Sequence, residues 1–140
     1  MAEVNNVLLR FEREVLAPFE VPGNRVSRDM YDNLVLPWIA NPEQTDFPTE
    51  SFCRDEWDRD GVLSDGNDFF GGSEERPLEK VEKGFGTASM VTRWRAAHPE
   101  LAGTEKDVTK EMIATLRPWL NGKGLRAGSS TVILLLKKRG

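Results

Sequence analysis

The stretch SSTVILLLKKRG, residues 129–140, closes the chain and decides how its fold must be built. Five apolar residues, Val132 to Leu136, stand in a row and are followed by two lysines and an arginine. A short unbroken apolar run is typical of a strand that is buried on both faces in the middle of a sheet. We therefore predict a strand from Ser130 to Lys138 that needs a neighbouring strand on each edge.

Few other segments can supply those neighbours. The segment SFCRDEWDRDG, residues 51–61, carries the bulky Phe52 and Trp57 and ends in an Asp-Gly turn signal, so it is the second strand candidate. The rest of the chain favours helices, predicted at residues 4–16, 26–36, 78–85, 88–98 and 104–121. In the last of these, Thr104 can cap the helix, with Asp107 in its first turn. The pattern predicts an α+β fold, mostly helical, with a small antiparallel sheet of two strands per chain.

Composition limits the classes of protein that the chain can belong to. Its 140 residues fit one domain, residues 1–140, and its 39% apolar and 30% charged fractions are ordinary for a globular protein. The net charge of −4 gives no basic field for nucleic acid or an acidic membrane surface. One cysteine, Cys53, excludes an internal disulfide. With no bilayer-length apolar run and an acidic N-terminus, we expect a cytoplasmic protein without nucleic-acid or membrane partners.

Three stretches together resemble one family, the fungal class I S-adenosylmethionine-dependent methyltransferases of the trans-aconitate methyltransferase type. They are PGNRVSRDMYDNLVLPW at residues 22–38, RDEWDRDG at residues 54–61 and GFGTASMVTRWRAAHPELAGTEKD at residues 84–107. The resemblance covers only the family's C-terminal half, which holds the substrate cap and the last strands. It implies a truncated methyltransferase fold that lacks the half that binds the cofactor.

The glycine-rich turn that would hold the cofactor is missing. In nucleotide-binding folds this turn follows a strand and opens a helix. The cluster FFGGSEE, residues 69–75, follows no strand, and GFGTAS, residues 84–89, lies between two helical segments. We therefore expect no cofactor.

The same resemblance implies a partner for the last strand. In the family the final strand lies antiparallel between the fifth and sixth strands. Phe52 to Asp58 can supply the sixth, whereas the fifth is missing, which leaves one edge of residues 131–136 open. An open apolar edge invites pairing with another chain. We expect a homodimer through residues 131–136, or a heterodimer with a cofactor-binding chain, with helices 104–121 and 4–16 covering the sheet.

Two residues are candidates for acid–base chemistry. His98 is the single histidine, and histidine is the side chain best suited to proton transfer near neutral pH. Asp58 lies in a crowd of carboxylates with Asp55, Glu56 and Asp60, where one acid can be kept protonated. The alternatives are a solvated histidine at a helix-ending turn and a solvated acidic face interleaved with arginines. Cys53 lacks an activating neighbour in the sequence and is interpreted as a small buried residue on a strand.

Aromatic residues and one arginine are candidates for binding substrate. Trp38, Trp57 and Trp94, with Tyr31 and Arg93, fall within the stretches that resemble the methyltransferase cap. A flat aromatic pocket with an arginine suits a conjugated carboxylate or a polyketide-like enolate. For each tryptophan the alternative is ordinary core packing.

Three functions remain open from the sequence. The first is a protein of fungal secondary metabolism that binds a small-molecule substrate and acts without S-adenosylmethionine, as an isomerase or cyclase. The second is the substrate-binding half of a split methyltransferase. The third is a non-catalytic binding or scaffold module.

Overall fold

The computed structural model describes residues 2–43, 46–59 and 70–140 of the chain. It is an α+β structure in which helices predominate, as the sequence predicts. The α-helices are α1 (Ala2–Arg10), α2 (Pro22–Arg28), α3 (Pro37–Ala40), α4 (Leu78–Gly86), α5 (Ser89–Ala97) and α6 (Val108–Leu120). The strands are β1 (Cys53–Trp57), β2 (Glu74–Arg76), β3 (Leu125–Ala127) and β4 (Thr131–Leu135).

The pairing of the last strand with residues 52–58 is confirmed. β4 lies antiparallel to β1, from Cys53 opposite Leu135 to Trp57 opposite Thr131. A second two-stranded sheet, made of β2 and β3, was not predicted. Its strands are three residues long. Glu74–Arg76 is entirely charged, and the alternation of Leu125–Ala127 is too short to predict a strand.

The chain, expected to be one domain, divides into two compact units. The first unit comprises Met1–Val21 and Glu75–Ala127, and the second comprises Pro22–Glu74 and Gly128–Gly140. Within the described chain, every residue of the buried apolar cluster belongs to the first unit. That cluster consists of Val4, Phe11, Leu16, Val81, Met90, Val91, Trp94, Val108, Met112, Ile113, Leu116 and Leu125.

α6 is the central helix of the first unit and packs on α1, α4 and α5. Its buried face carries Met112, Ile113 and Leu116 at helical spacing. The predicted cap at Thr104 is wrong, because Asp107 occupies the N-cap and its side chain accepts a hydrogen bond from the Thr109 N–H. The helix runs two residues past Pro118 and ends where Asn121 turns left-handed, at φ 48°.

The N-terminal helix changes its winding as it proceeds. α1 passes into a π-helical turn at Phe11–Val15, in which the Leu16 N–H donates to the Phe11 carbonyl at 3.0 Å. A 3₁₀ turn follows at Ala17–Phe19, where Pro18 cannot continue the π pattern. This π and 3₁₀ winding places Phe19 at the start of the candidate site described below.

The second unit has short helices and, among its described residues, one buried apolar side chain, that of Met30. The helix predicted at 26–36 lies earlier, because Pro22 starts α2 and the chain leaves the helix after Arg28. Met30 and Tyr31 then take left-handed conformations, at φ 51° and 61°. A further 3₁₀ turn, Thr49–Ser51, precedes β1.

β4 is less buried than its sequence predicts. Thr131, Val132, Ile133 and Leu134 are half-buried, and Leu135 is 56% exposed. In the described chain β4 pairs with β1 alone, so the interior position in a larger sheet is not formed within these residues. Within the part of the chain that the structure describes, no helix combines the length and apolar character that a membrane crossing requires.

Candidate functional site

His98 lies at the C-terminal end of α5 in an aromatic cluster of the first unit. Its ring stacks on Trp94, with centroids 4.5 Å apart and planes 23° from parallel. Phe19 contacts the same imidazole edge-on, with centroids 5.8 Å apart. The four-residue spacing from Trp94 to His98 puts both rings on one face of the helix. We call Phe19, Trp94 and His98 the aromatic cluster.

A hydrogen bond fixes which nitrogen of His98 carries a proton. Nδ1 lies 2.9 Å from the Trp94 carbonyl oxygen, which can only accept. When the imidazole is neutral, Nδ1 is therefore the protonated nitrogen and Nε2 carries the lone pair. His98 is half-buried, whereas Trp94 is only 8% exposed and belongs to the core. The arrangement gives a positioned base on a rigid aromatic support.

Arg93 joins the 3₁₀ turn to α5. Its Nε donates to the Phe19 carbonyl at 2.6 Å, and its Nη2 lies 3.4 Å from the Ser89 hydroxyl. This contact fixes the segment that carries Phe19 against the helix that carries Trp94 and His98. Three of the predicted site residues, Arg93, Trp94 and His98, are thus brought together, and Phe19 is a member that the sequence analysis missed.

The other predicted site residues lie in the second unit. Trp38 packs edge-on against Phe52, with centroids 5.3 Å apart, and Trp57 packs against Phe70 at 5.1 Å. Tyr31 is 39% exposed in its left-handed turn.

Asp58 is buried at the end of β1 and has a positive φ of 56°. Aspartate tolerates this left-handed region better than most residues, so a turn accounts for its position. Asp60, a member of the predicted acidic group, and Phe69, in the segment FFGGSEE, fall outside the described residues.

The acidic run of β1 belongs to an ionic network that the sequence did not reveal. Arg59 bridges Asp32 and Glu56, with Nη2 at 2.7 Å from Asp32 Oδ1 and Nε at 2.5 Å from Glu56 Oε2. Arg54 donates to Asp32 Oδ1 and to the Met30 carbonyl, both at 2.7 Å, and also contacts Glu56. Arg59 and Asp32 are 27 positions apart in the chain, and no local sequence pattern indicates a contact over that separation.

The network changes how its acids titrate. Hydrogen bonds from Arg59 and then Arg54 hold the pKa of Glu56 down at about 2, although burial acts in the opposite direction. The hydrogen bond from Arg59 likewise lowers the pKa of Asp32. Both acids are therefore ionised at neutral pH. An ionised carboxylate cannot serve as a general acid. The pairing of Asp32 and Glu56 with Arg54 and Arg59 instead favours the alternative interpretation, an acidic face interleaved with arginines.

A second ionic group lies at the start of α6. The Asp107 carboxylate is 1% exposed and accepts bonds from Arg95, from the Gly103 N–H and from the N–H and hydroxyl of Thr109. Burial opposes ionisation of Asp107, yet these donors hold its pKa well below its usual range. The described donors all belong to the protein segments around the start of α6, so we interpret this group as one that stabilises the helix N-terminus.

Two grooves lie in the first unit. The larger, about 470 Å³, lies where β2 leads into α4 and α6 ends, and its charged lining residues are Glu75, Glu79, Arg117 and Lys123. The smaller, about 230 Å³, lies between the π-helical end of α1 and α6 and is lined by Val7, Phe11, Val15 and Met112 among others. Among the described residues that line these two grooves, none is a predicted site residue.

The described residues were compared with the requirements of a metal site and of a glycine-rich cofactor turn. Among residues 2–43, 46–59 and 70–140, no three histidine, cysteine, aspartate or glutamate side chains come together as metal ligands. The buried position predicted for Cys53 is wrong: the residue is exposed at the start of β1, and its Sγ lies 3.7 Å from Asp55 Oδ2. Gly84 and Gly86 lie at the end of α4, so this cluster does not follow a strand.

Comparison of the chain with protein-family models, with curated proteins and with solved structures gave no match.

Proposed function

We propose that the chain is a methyltransferase-like protein of fungal small-molecule metabolism that acts in the cytoplasm without S-adenosylmethionine. Its reaction is isomerisation or cyclisation of a conjugated carboxylate or polyketide-like substrate. His98 takes and returns the proton, and Arg93 is the cation assigned to the substrate's carboxylate. The observation that carries the proposal is the imidazole of His98 held between Trp94 and Phe19 with Nδ1 tied to a carbonyl.

The proton transfer follows from that geometry. With Nδ1–H donating to the Trp94 carbonyl at 2.9 Å, Nε2 is the acceptor for a proton on carbon next to a carbonyl group. The resulting imidazolium returns the proton to a different carbon of the conjugated system, which shifts the double bond. The contacts with Trp94 and Phe19 fix the plane of the His98 imidazole. Because its orientation is already set, the imidazole loses little orientational freedom when the substrate binds.

Solvent hydrogen exchange tests the proposal without knowledge of the natural substrate. The chain is incubated in D₂O with a panel of conjugated carboxylic acids and 1,3-dicarbonyl compounds, and loss of the acidic C–H signal is followed by NMR. We expect accelerated exchange for at least one compound with the wild type and with Trp119→Ala, which alters an exposed tryptophan of the same unit.

His98→Gln should lose that acceleration while keeping its circular dichroism spectrum. Equal acceleration by His98→Gln would refute the assignment of His98. Binding of a panel compound without exchange would favour the non-catalytic module instead.

The half-buried state of β4 favours a second candidate, the substrate half of a split methyltransferase. A strand with four aliphatic residues and one described neighbour is what a half-fold would leave when its cofactor-binding chain is absent. The test is calorimetry with S-adenosylmethionine. The split-enzyme candidate predicts that S-adenosylmethionine binds at micromolar affinity to a complex of this chain with a second, different chain, and not to this chain alone. Micromolar binding of S-adenosylmethionine by this chain alone would contradict it.

A further inference from the structure

The open edge of β4 has a definite pattern of backbone groups. Beyond the strand, the Lys137 N–H donates to the Ser51 hydroxyl at 3.3 Å and the Arg139 N–H donates to the Asp46 carbonyl at 2.7 Å. Both odd-numbered residues thus direct their N–H groups to the side on which β1 and the segment before it lie. Backbone groups alternate in direction along a strand. It follows that Thr131, Ile133 and Leu135 face β1, whereas Val132 and Leu134 face the outer edge.

The side chains of β4 also divide into two sets. The register puts Leu135 beside Cys53 and Ile133 beside Asp55 on one face, and Leu134 beside Arg54 on the other. Leu135 is 56% exposed although it is aliphatic, and its cross-strand neighbour Cys53 is exposed as well. Apolar area on the face that carries Leu135 and Cys53 is therefore exposed in the described chain.

The strand is complementary to itself. When two copies run antiparallel about a two-fold axis centred on Ile133, Val132 of each copy lies opposite Leu134 of the other. These are the outward-facing residues, so each of the two pairs exchanges both of its N–H···O bonds. Leu135 then gains Ile133 of the other copy as a diagonal neighbour on the same face.

The charges flanking the strand select this arrangement. Lys137, Lys138 and Arg139 follow β4, whereas the residues before it, 128–130, are uncharged. In the antiparallel pair Lys137 lies opposite Ser129, and Lys138 lies opposite Gly128. A parallel pair would place the two basic segments side by side, where like charges repel. The flanks therefore favour a copy of this chain in the antiparallel orientation.

We propose that two copies of the chain pair through the outer edges of β4, with Ile133 facing Ile133 across the two-fold axis. The product is a continuous four-stranded sheet in the order β1, β4, β4, β1. A two-stranded sheet is marginal in water, whereas four strands with apolar faces are not. This inference is independent of the proposed chemistry of His98.

Single-cysteine cross-linking tests the pairing and its register. In a Cys53→Ser background, Ile133→Cys puts the two thiols in a directly opposed pair with Cα atoms about 4.5 Å apart, within reach of a disulfide. Oxidised glutathione should then convert most of the protein to a covalent dimer. The matched control, Leu135→Cys, separates the thiols by about 13 Å and should stay uncrosslinked.

Light scattering and one proline variant complete the test. The wild type at tens of micromolar should have twice the monomer mass of 15.8 kDa. Leu134→Pro removes an outward N–H, so it should keep the β1–β4 pair and become monomeric. A monomeric wild type would overturn the proposal, as would cross-linking at Leu135→Cys or Leu134→Cys that matches or exceeds that at Ile133→Cys. If Leu134→Pro fails to fold, the cysteine variants still decide.

Discussion

Arg95 donates two hydrogen bonds to Asp107, from Nε to Oδ2 at 2.7 Å and from Nη2 to Oδ1 at 3.0 Å. The carboxylate is 1% exposed and also caps α6, so one side chain serves both the ion pair and the helix N-terminus. The arginine itself is about one-third exposed. Asp107 therefore connects the end of α5 to the start of α6.

Asp107→Ala should be among the most destabilising substitutions in the first unit. It removes the N-cap and takes away the carboxylate that accepts from Arg95 Nε and from the Gly103 N–H. We expect a loss of about 3 kcal/mol in the free energy of unfolding, measured with urea. Thr104→Ala, at the exposed residue that the sequence favoured as cap, should cost less than about 1 kcal/mol. Equal losses for the two variants would contradict the structure.

The stability of the first unit should depend on pH through Asp107. Its pKa is lowered in the folded state, so its contribution is complete above the unfolded pKa of about 3.9 and is lost as the pH falls through the folded value. The wild type and Asp107→Asn should therefore differ most in unfolding free energy above about pH 5, and the difference should shrink towards pH 2. A difference that stays constant over this range would show that the charge is not responsible.

Two tryptophans of the first unit should respond differently to truncation. Trp94 is 8% exposed and belongs to the core, whereas Trp119 is 53% exposed. Trp94→Ala should cost about 3–5 kcal/mol, as a large-to-small core change does, and Trp119→Ala about 0.5 kcal/mol or less. Urea unfolding followed by far-ultraviolet circular dichroism checks both. A Trp94→Ala variant of nearly wild-type stability would contradict the assignment of Trp94 to the core and would favour a position on the surface of a binding site.

The Glu56 carboxyl should titrate far below an ordinary glutamate. Its pKa of about 2 depends first on the hydrogen bonds from Arg59. Arg59→Gln should raise the midpoint towards the ordinary value of about 4.3, and Lys110→Gln, which alters a cation of the other unit, should leave it unchanged. Carbon-13 NMR of the side-chain carboxyl measures both. An unshifted midpoint in Arg59→Gln would remove Arg59 from the network.

The sequence predicted those parts of the fold that depend on local apolar pattern. α4, α5 and α6 have clear apolar stripes, and the last strand is a short apolar run. The pairing of residues 52–58 with that strand was expected from the family resemblance and not from the pattern alone. Contacts between residues that are distant in the sequence were not predicted. The bridge from Arg59 to Asp32, the β2–β3 sheet and the contact of Phe19 with His98 join residues whose spacing has no characteristic period.

The backbone conformation of single residues also could not be predicted from the sequence. The left-handed turn at Met30 and Tyr31 ends α2 early, although neither residue favours positive φ. The choice of Asp107 over Thr104 as N-cap depends on Arg95, which is brought close only by the packing of α5 on α6. The apolar run of β4 correctly predicted a strand, but not that its described neighbours would leave Leu135 more than half exposed.

The proposed function depends on a substrate that meets His98, and the chain offers a direct way to observe this. Because His98 is the single histidine, its imidazole Hε1 and Hδ2 signals are unambiguous in a proton NMR spectrum. Titration with a conjugated carboxylate that undergoes exchange should shift both signals until they saturate at one equivalent, and Trp119→Ala should behave like the wild type. Saturable binding that leaves both His98 signals unmoved would contradict the proposed site.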